Sequence, residues 1–259
     1  MSKIRSKGKC VFCGKEYSKS GMANHLERHL QEKAKTGEPG QTFHIKVWPD
    51  PRYDSSPHFL HIWADGETSF KNIDDFLRKI WLECCGHLSA FITPRNKANT
   101  LSIFEAIDLY EKEKTEANKN ILESFEPEIS KSRKLKTVLG KGMKVEYEYD
   151  FGSTTCLQLT VVSELPTKAG KKISLLSRNE PLEILCSSCH VSPATQLCSV
   201  CSYESNAFFC DDCAGGHADQ CKDFADYAAM PVVNSPRMGV CAYEGGSIDK
   251  ERDGIYQKK

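Results

Sequence analysis

Between residues 42 and 180 the apolar positions switch between two periods. FHIKVW (43–48) and HFLHIW (58–63) alternate, which sends successive side chains to opposite faces and predicts two strands. SFKNIDDFLRKIWLECC (69–85) places Phe76, Leu77 and Ile80 at helical spacing behind Asp74 and Asp75, so a helix with acidic residues in its first turn is expected. HLSAFI (87–92) reads as a further strand. LSIFEAIDLYEKEKTEANKNILESF (101–125) repeats Ile103, Ile107 and Tyr110, then Ile121 and Phe125, at steps that predict one long helix or two with a solvated middle. MKVEYEYDFGSTTCLQLTVVSEL (143–165) is a hairpin pattern. Val145, Tyr147 and Tyr149 share one face, the chain turns near Gly152, and Leu157, Leu159 and Val161 return. The fold class that follows is α+β: a central antiparallel sheet with helices.

The flanks have a different texture. Residues 1–35 form a small cysteine- and histidine-bearing unit, and TGEPGQ (36–41) is a Gly/Pro linker to the central domain at 42–180. Residues 183–229 are cysteine-rich. The tail from 230 to 259 is rich in Gly, Pro and Asn and predicts extended chain without regular structure. Yet Val232, Val233, Met238, Val240 and Tyr243 make its first half more apolar than a solvated tail needs, so docking on the folded body is expected.

Charge sharpens this division. The 35 basic and 35 acidic residues cancel, so no whole-chain field draws the protein to nucleic acid or to anionic lipid. Residues 1–35, however, hold nine Lys/Arg against three Glu, a net of +6, and residues 186–229 hold six Asp/Glu against one Lys, a net of −5. No apolar run reaches the ~18 residues of a membrane span, and MSKIRSKGKC lacks the apolar core of a signal peptide. A cytoplasmic protein without membrane contact is the expectation. In a reducing compartment, repeated CxxC pairs point to metal rather than to disulfides.

The opposite ends carry that chemistry. From residue 186 the spacing is C-x2-C-x8-C-x2-C-x8-C-x2-C-x3-H-x3-C. Zinc takes four tetrahedral Cys/His ligands, so eight ligands mean two ions. Short eight-residue spacers suit an interleaved arrangement: Cys186, Cys189, Cys210 and Cys213 on one ion, and Cys198, Cys201, His217 and Cys221 on the other. At the other end C-x2-C-x11-H-x3-H supplies Cys10, Cys13, His25 and His29, with the histidines one helical turn apart on one face. Tyr17 and Met22 take the places of a small apolar core. Three structural zinc ions are therefore expected. A redox reading fails for want of a thioredoxin-like βαβ unit. His190 and Cys241 read as bystanders, and Cys84, Cys85 and Cys156 as buried apolar residues.

Three resemblances attach to these residues. The C-terminal spacing, with Phe208 and Phe209 before the third CxxC, resembles B-box and MYND zinc modules. The N-terminal motif resembles the C2H2 zinc finger with a spacer one residue short; counting back from His25, the base-reading places fall at Ser18, Gly21 and Asn24, which suit sequence-specific reading poorly. In the centre, Tyr147, Tyr149, Asp150, Phe151 and Gly152 follow KLKTVLGKG (134–142), and His87, Leu88 and Phe91 stand upstream with Ser89 in place of a second histidine. This set resembles the plasmid pRiA4b ORF-3-like family, known also as transposon passenger proteins, although the W-x-H that follows YDFG there is GSTTCLQL here. The resemblance implies an α+β fold, a mobile-element context and no defined activity.

The function that follows is a zinc-binding adaptor or regulatory protein. The acidic C-terminal module is expected to bind a protein partner. The basic finger offers weak, non-specific phosphate contacts to nucleic acid. The alternative is an enzyme with a cleft in the central domain, for which His44, His58, His61, His87 and Asp150 are the candidates. His58 and His61, three apart in a strand, cannot readily share a metal. Asp150 is most simply a hairpin residue that accepts backbone N–H groups.

Overall fold

In the computed structural model, residues 6–93, 103–118, 128–203 and 207–248 are described. The centre is a six-stranded antiparallel sheet of β3 (Thr42–Pro49), β4 (Leu60–Asp65), β5 (Ser89–Ile92), β6 (Lys144–Tyr149), β7 (Thr155–Leu165) and β8 (Ile173–Arg178). Its strand order is β5-β6-β7-β3-β4-β8. The fold is α+β, as the two periods predict. β8 has no alternating pattern in sequence, because Leu175 and Leu176 are adjacent and serve opposite faces across a register break in its pairing with β4.

Both faces of the sheet are covered. Phe43, Ile45 and Val47 of β3 join Leu157, Leu159 and Val161 of β7 on one face, under Phe70, Ile73, Leu77 and Trp81. On the other face lie Leu165, Leu176, Trp48 and Trp63, packed against Met22, Leu26 and Leu30 of the N-terminal unit. β7 serves both faces because of a bulge: Ile45 pairs with Val161 but His44 pairs with Ser163, so Val162 is the extra residue. One added residue reverses the side-chain parity, and Leu165 points opposite to Leu159.

Helix α2 (Phe70–Leu77) starts one turn earlier than the acidic pair suggests. Ser69 and Asn72 form a capping box there. Asp74 and Asp75 therefore lie in the second turn. Asp74 is buried and accepts from Ser89 Oγ (2.6 Å), Tyr147 OH (2.7 Å) and Arg78 Nε (3.0 Å). A π-helical turn, Arg78–Leu82, carries the chain on to Cys84 and Cys85. Of the long helix expected from residue 101, α3 (Ile103–Lys112) is present; Ile121 and Phe125 lie outside the described residues.

The N-terminal unit comprises β1 (Lys7–Lys9), β2 (Glu16–Ser18) and α1 (Met22–Thr36). It is joined to the sheet edge by backbone bonds from Val11 N to Leu176 O (2.9 Å) and Glu180 N to Lys7 O (2.7 Å). The C-terminal unit is a three-stranded sheet, β10-β9-β11, of β9 (Gln196–Cys198), β10 (Phe208–Phe209) and β11 (Ala229–Pro231), with α4 (Asp211–Ala218).

Residues 229–231 are thus a strand, where the sequence suggests none. Residues 232–248 have no regular structure but are well anchored. Asn179 and Asn234 exchange hydrogen bonds, Ser235 Oγ donates to Trp81 O (2.7 Å), and Tyr243 is fully buried. The close fit extends to Gly246, where a Cβ would collide with the Ile80 carbonyl.

Candidate metal centres

The N-terminal group is built from a knuckle and a helix. Cys10 and Cys13 sit in a tight turn closed by Gly14 N donating to Cys10 O (2.8 Å), with Gly14 in the left-handed region at φ 70°. Helix α1 presents His25 and His29 from consecutive turns, and Cys13 Sγ lies 3.3 Å from His25 Nε2. Tyr17 stacks on His25 at a centroid distance of 4.0 Å, and Phe12 meets His29 at 5.2 Å. Burial lowers the pKa of His25, which favours the neutral imidazole that a metal needs.

In the C-terminal unit the pairs interleave. Cys186 and Cys189 meet Cys210 and Cys213, while Cys198 and Cys201 meet His217 and Cys221. Cys210 caps α4, so Cys213 and His217 follow one another along its turns. The Sγ atoms of Cys189 and Cys210 are 3.9 Å apart, and those of Cys201 and Cys221 are 3.8 Å apart. Tetrahedral sulfurs about 2.3 Å from a zinc ion stand about 3.8 Å apart, whereas a disulfide needs about 2.05 Å. None of the thirteen cysteines is joined in a disulfide.

The electrostatics of these groups suit a cation. Burial opposes ionisation of Cys186, yet the backbone N–H groups of Cys189, Cys210 and Ser188 bring its thiol down to about 6. Backbone N–H groups lower Cys189 as well, whereas Cys210 pushes Cys213 up to about 12; in the second set Cys198 pushes Cys201 up to about 12. One thiolate forms readily and the next is repelled, a conflict that a divalent ion removes. His217 is lowered by burial, and its Nε2 is buried with no hydrogen-bond partner. The ring is held by Phe209 (4.1 Å, stacked) and Phe224 (4.8 Å, edge-on).

Each of these three groups brings its four ligand atoms within 4.8 Å of one another. A fourth group does the same among the described residues: Cys84, Cys85, His87 and Cys241. The expectation that Cys85 is a buried apolar residue is corrected, whereas Cys84 does pack against the sheet core. Cys241 takes no part in the C-terminal sets, as expected, but joins this group instead. Cys85 and Cys241 are exposed, Cys84 is half-buried, and the tail carries Cys241 to the loop after the π-helical turn. CCGH was the visible half of this group. Cys241, 154 residues beyond His87, had no nearby partner to betray it. Twelve of the thirteen cysteines belong to the four groups, and Cys156 stands outside them.

The enzyme candidates do not assemble into one site. His44 Nε2 and His61 Nδ1 are 2.9 Å apart and fully buried on the sheet face that carries α1. Burial lowers His44 to about 3 and His61 well below its ordinary value, so both are neutral. His58 lies 6.3 Å from the Trp81 ring, on the other side. Asp150 accepts from Gly152 N (3.1 Å), the hairpin role its position suggests. Clefts of about 700 Å3 (beside Lys19, Lys46 and Trp48) and about 490 Å3 (beside Tyr227, Met230 and Cys241) open on the surface; neither is lined by His44, His61, His87 or Asp150. Among the described residues, no helix is long and apolar enough to cross a membrane.

No protein-family model and no curated protein matches the chain. Among solved structures, a protein of unknown function from Methanosarcina mazei Go1, MM3350, shares 14% sequence identity over 53% of this chain and 67% of that one, with a TM-score of 0.36. A likeness of that extent carries no argument about function; what stands, among the described residues, is four Cys/His clusters that could each hold a metal ion.

Proposed function

We propose that the chain is a zinc-binding adaptor or regulatory protein in which Cys10/Cys13/His25/His29, Cys186/Cys189/Cys210/Cys213 and Cys198/Cys201/His217/Cys221 hold three structural zinc ions. The carrying observation is that each set supplies four converging Cys/His ligands from two separated pieces of chain. Four protein ligands complete a tetrahedral shell and leave no position for a substrate. A buried His217 nitrogen without a protein partner is what a metal would satisfy. The ions would hold together small units whose own cores are slight.

The C-terminal unit is the proposed protein-binding part. It is acidic and displays Val191 (78% exposed), Tyr227 (70%) and Leu185 (53%), large apolar side chains that a partner could cover. The central domain's kinship with the pRiA4b ORF-3-like family belongs to the same proposal, supported by its YDFG hairpin. Nucleic-acid contact through the N-terminal unit would be weak and sequence-tolerant. Ser18 and Ala23 line a cleft with Lys46 and Trp48, so the side that would read bases is partly turned toward the sheet.

Elemental analysis of the purified chain tests the metal reading: zinc is expected at all three sets, and one ion or none would overturn it. Affinity capture before and after nuclease digestion tests the partner class. Retention of the captured protein after digestion is expected, and its complete loss would transfer the function to nucleic acid.

A further inference from the structure

Cys84, Cys85, His87 and Cys241 share no residue with the three sets above. We propose that they form a fourth metal site, of the Cys3His type, that takes zinc and staples the chain beyond residue 231 to the central domain.

The geometry is that of ligands around a missing centre. Cys85 Sγ lies 3.6 Å from Cys84 Sγ and 3.7 Å from Cys241 Sγ. His87 Nε2 lies 3.0 Å from Cys85 Sγ and 3.2 Å from Cys241 Sγ. These separations are close to tetrahedral edges around one ion and far from the about 2.05 Å of a disulfide. The sulfur spacing matches that in the C-terminal sets, 3.8 and 3.9 Å.

The backbone repeats a feature of the other sites. The residue after a ligand cysteine is left-handed at Gly14 (φ 70°) and His190 (φ 57°). It is left-handed again at Gly86 (φ 81°), after Cys85, and at Ala242 (φ 47°), after Cys241. Cys241 itself has φ 47°, so two consecutive residues with side chains occupy a region that costs energy. A bound ion supplies a reason for the chain to hold that turn.

The surroundings complete the case. Binding would convert three thiols to thiolates and release three protons to solvent, and a divalent ion with three thiolates and a neutral imidazole carries one negative charge. The guanidinium of Arg237, fully buried, faces that charge: its Nη2 lies 3.6 Å from Cys84 Sγ and 2.7 Å from Asp150 Oδ2. Asp150 Oδ2 is in turn 3.4 Å from His87 Nε2. Cys85 and Cys241 are 156 residues apart, so the ion would act as a long-range cross-link. Cys241 also lines the cleft it shares with Ser199, Val200 and Tyr227, so the staple fixes the acidic unit relative to the sheet.

The test is zinc per chain in the full-length protein, purified with reductant, for wild type and for Cys85→Ala, Cys241→Ala and Cys156→Ala. The expected result is four ions in wild type, a loss of one in each of the first two variants, and no loss in the third. Cobalt substitution gives a second measure, with the thiolate-to-metal band falling by about a quarter in the same two variants and shifting little in the third. Proteolysis of wild type should begin within residues 232–248 once a chelator strips this exposed ion. Zinc content unchanged by Cys241→Ala, or lowered by more than one ion, would overturn the site and leave the twelve-ligand reading untouched. A Cys85–Cys241 disulfide in the mass of the unreduced protein would overturn it as well. Loss of zinc from the other three sets with this one retained would overturn only the earlier reading.

Discussion

Arg237 and Asp150 form a buried ion pair, Nη2 to Oδ2 at 2.7 Å, across 87 residues of sequence. It ties the tail to the turn of the β6–β7 hairpin. The same guanidinium donates to Ser153 O (3.1 Å) and Thr155 Oγ1 (3.0 Å) and lies 4.8 Å from the Tyr149 ring centroid. One side chain therefore satisfies the mouth of the hairpin and roofs its tyrosine.

Removing one partner of such a pair leaves the other buried and uncompensated. Arg237→Met should destabilise the docked tail by about 3–5 kcal/mol and expose it to protease, while the central sheet keeps its own cooperative unfolding. Limited proteolysis with mass mapping reads this directly; a tail as resistant as wild type would refute it. Arg237→Lys should recover little, because an ammonium cannot span the three acceptors.

Gly8 joins the N-terminal unit to the sheet edge. A Cβ there would run into the carbonyl of Arg178 and the hydroxyl of Ser177. Gly8→Ala should cost about 1–3 kcal/mol in urea unfolding without removing zinc from the neighbouring ligand set. An unchanged midpoint would mean that this contact is not the joint the geometry makes it.

His58 should make stability fall on the acid side. Burial, with Arg178 and Lys19 nearby, lowers it to about 3, and its one hydrogen-bonding neighbour is Ser56 Oγ at 3.1 Å. The unfolded chain takes up that proton near about pH 6.5, the folded chain only near about 3, so this contribution is complete above about 6.5 and shrinks as pH falls. At about pH 5 the loss amounts to about 2 kcal/mol. His58→Gln should lose less than wild type by that amount between about pH 7.5 and 5. Any acid sensitivity of the metal sites is common to both proteins, so the difference isolates the histidine, and equal losses would contradict the assignment.

Cys198→Ser should unfold the C-terminal unit and leave the sheet intact. Cys198 is fully buried and belongs to the same small core as Phe209, Ala214 and Phe224. Structural zinc contributes on the order of 10–16 kcal/mol in finger peptides, well above the margin of a unit this size. Loss of the ring contacts between His217 and its two phenylalanines in NMR spectra, with central-domain signals unmoved, is the expected outcome.

Any duplex binding should be carried by the exposed cations Lys7, Lys9, Lys15 and Arg28. Four phosphates neutralised correspond to a slope of about −3.6 in log affinity against log salt. A salt titration on two unrelated duplexes should give the same slope for both, and deletion of residues 1–35 should abolish the signal. Strong preference for one duplex would contradict the assignment of Ser18, Gly21 and Asn24 as poor readers.

The sequence by itself determined whatever depends on near neighbours. The period-two pattern of Val145, Tyr147 and Tyr149 against Leu157, Leu159 and Val161 marks a hairpin, because strand geometry makes alternate residues share a face. The CxxC and HxxxH spacings mark twelve Cys/His residues that converge in three groups, because a turn or a helix step can place two donors side by side. Even the interleaved pairing of the C-terminal cysteines was legible, since eight-residue spacers restrict which pairs meet. Tertiary structure decided the rest. Val162 forms a bulge only in its pairing with β3, and that single extra residue turns Leu165 toward α1 and gives the N-terminal unit its seat on the sheet. Cys241 meets Cys84, Cys85 and His87 only because Ser235 and Arg237 anchor the tail beside the π-helical turn. Contacts across such separations depend on how whole elements pack, and no local period or spacing encodes them.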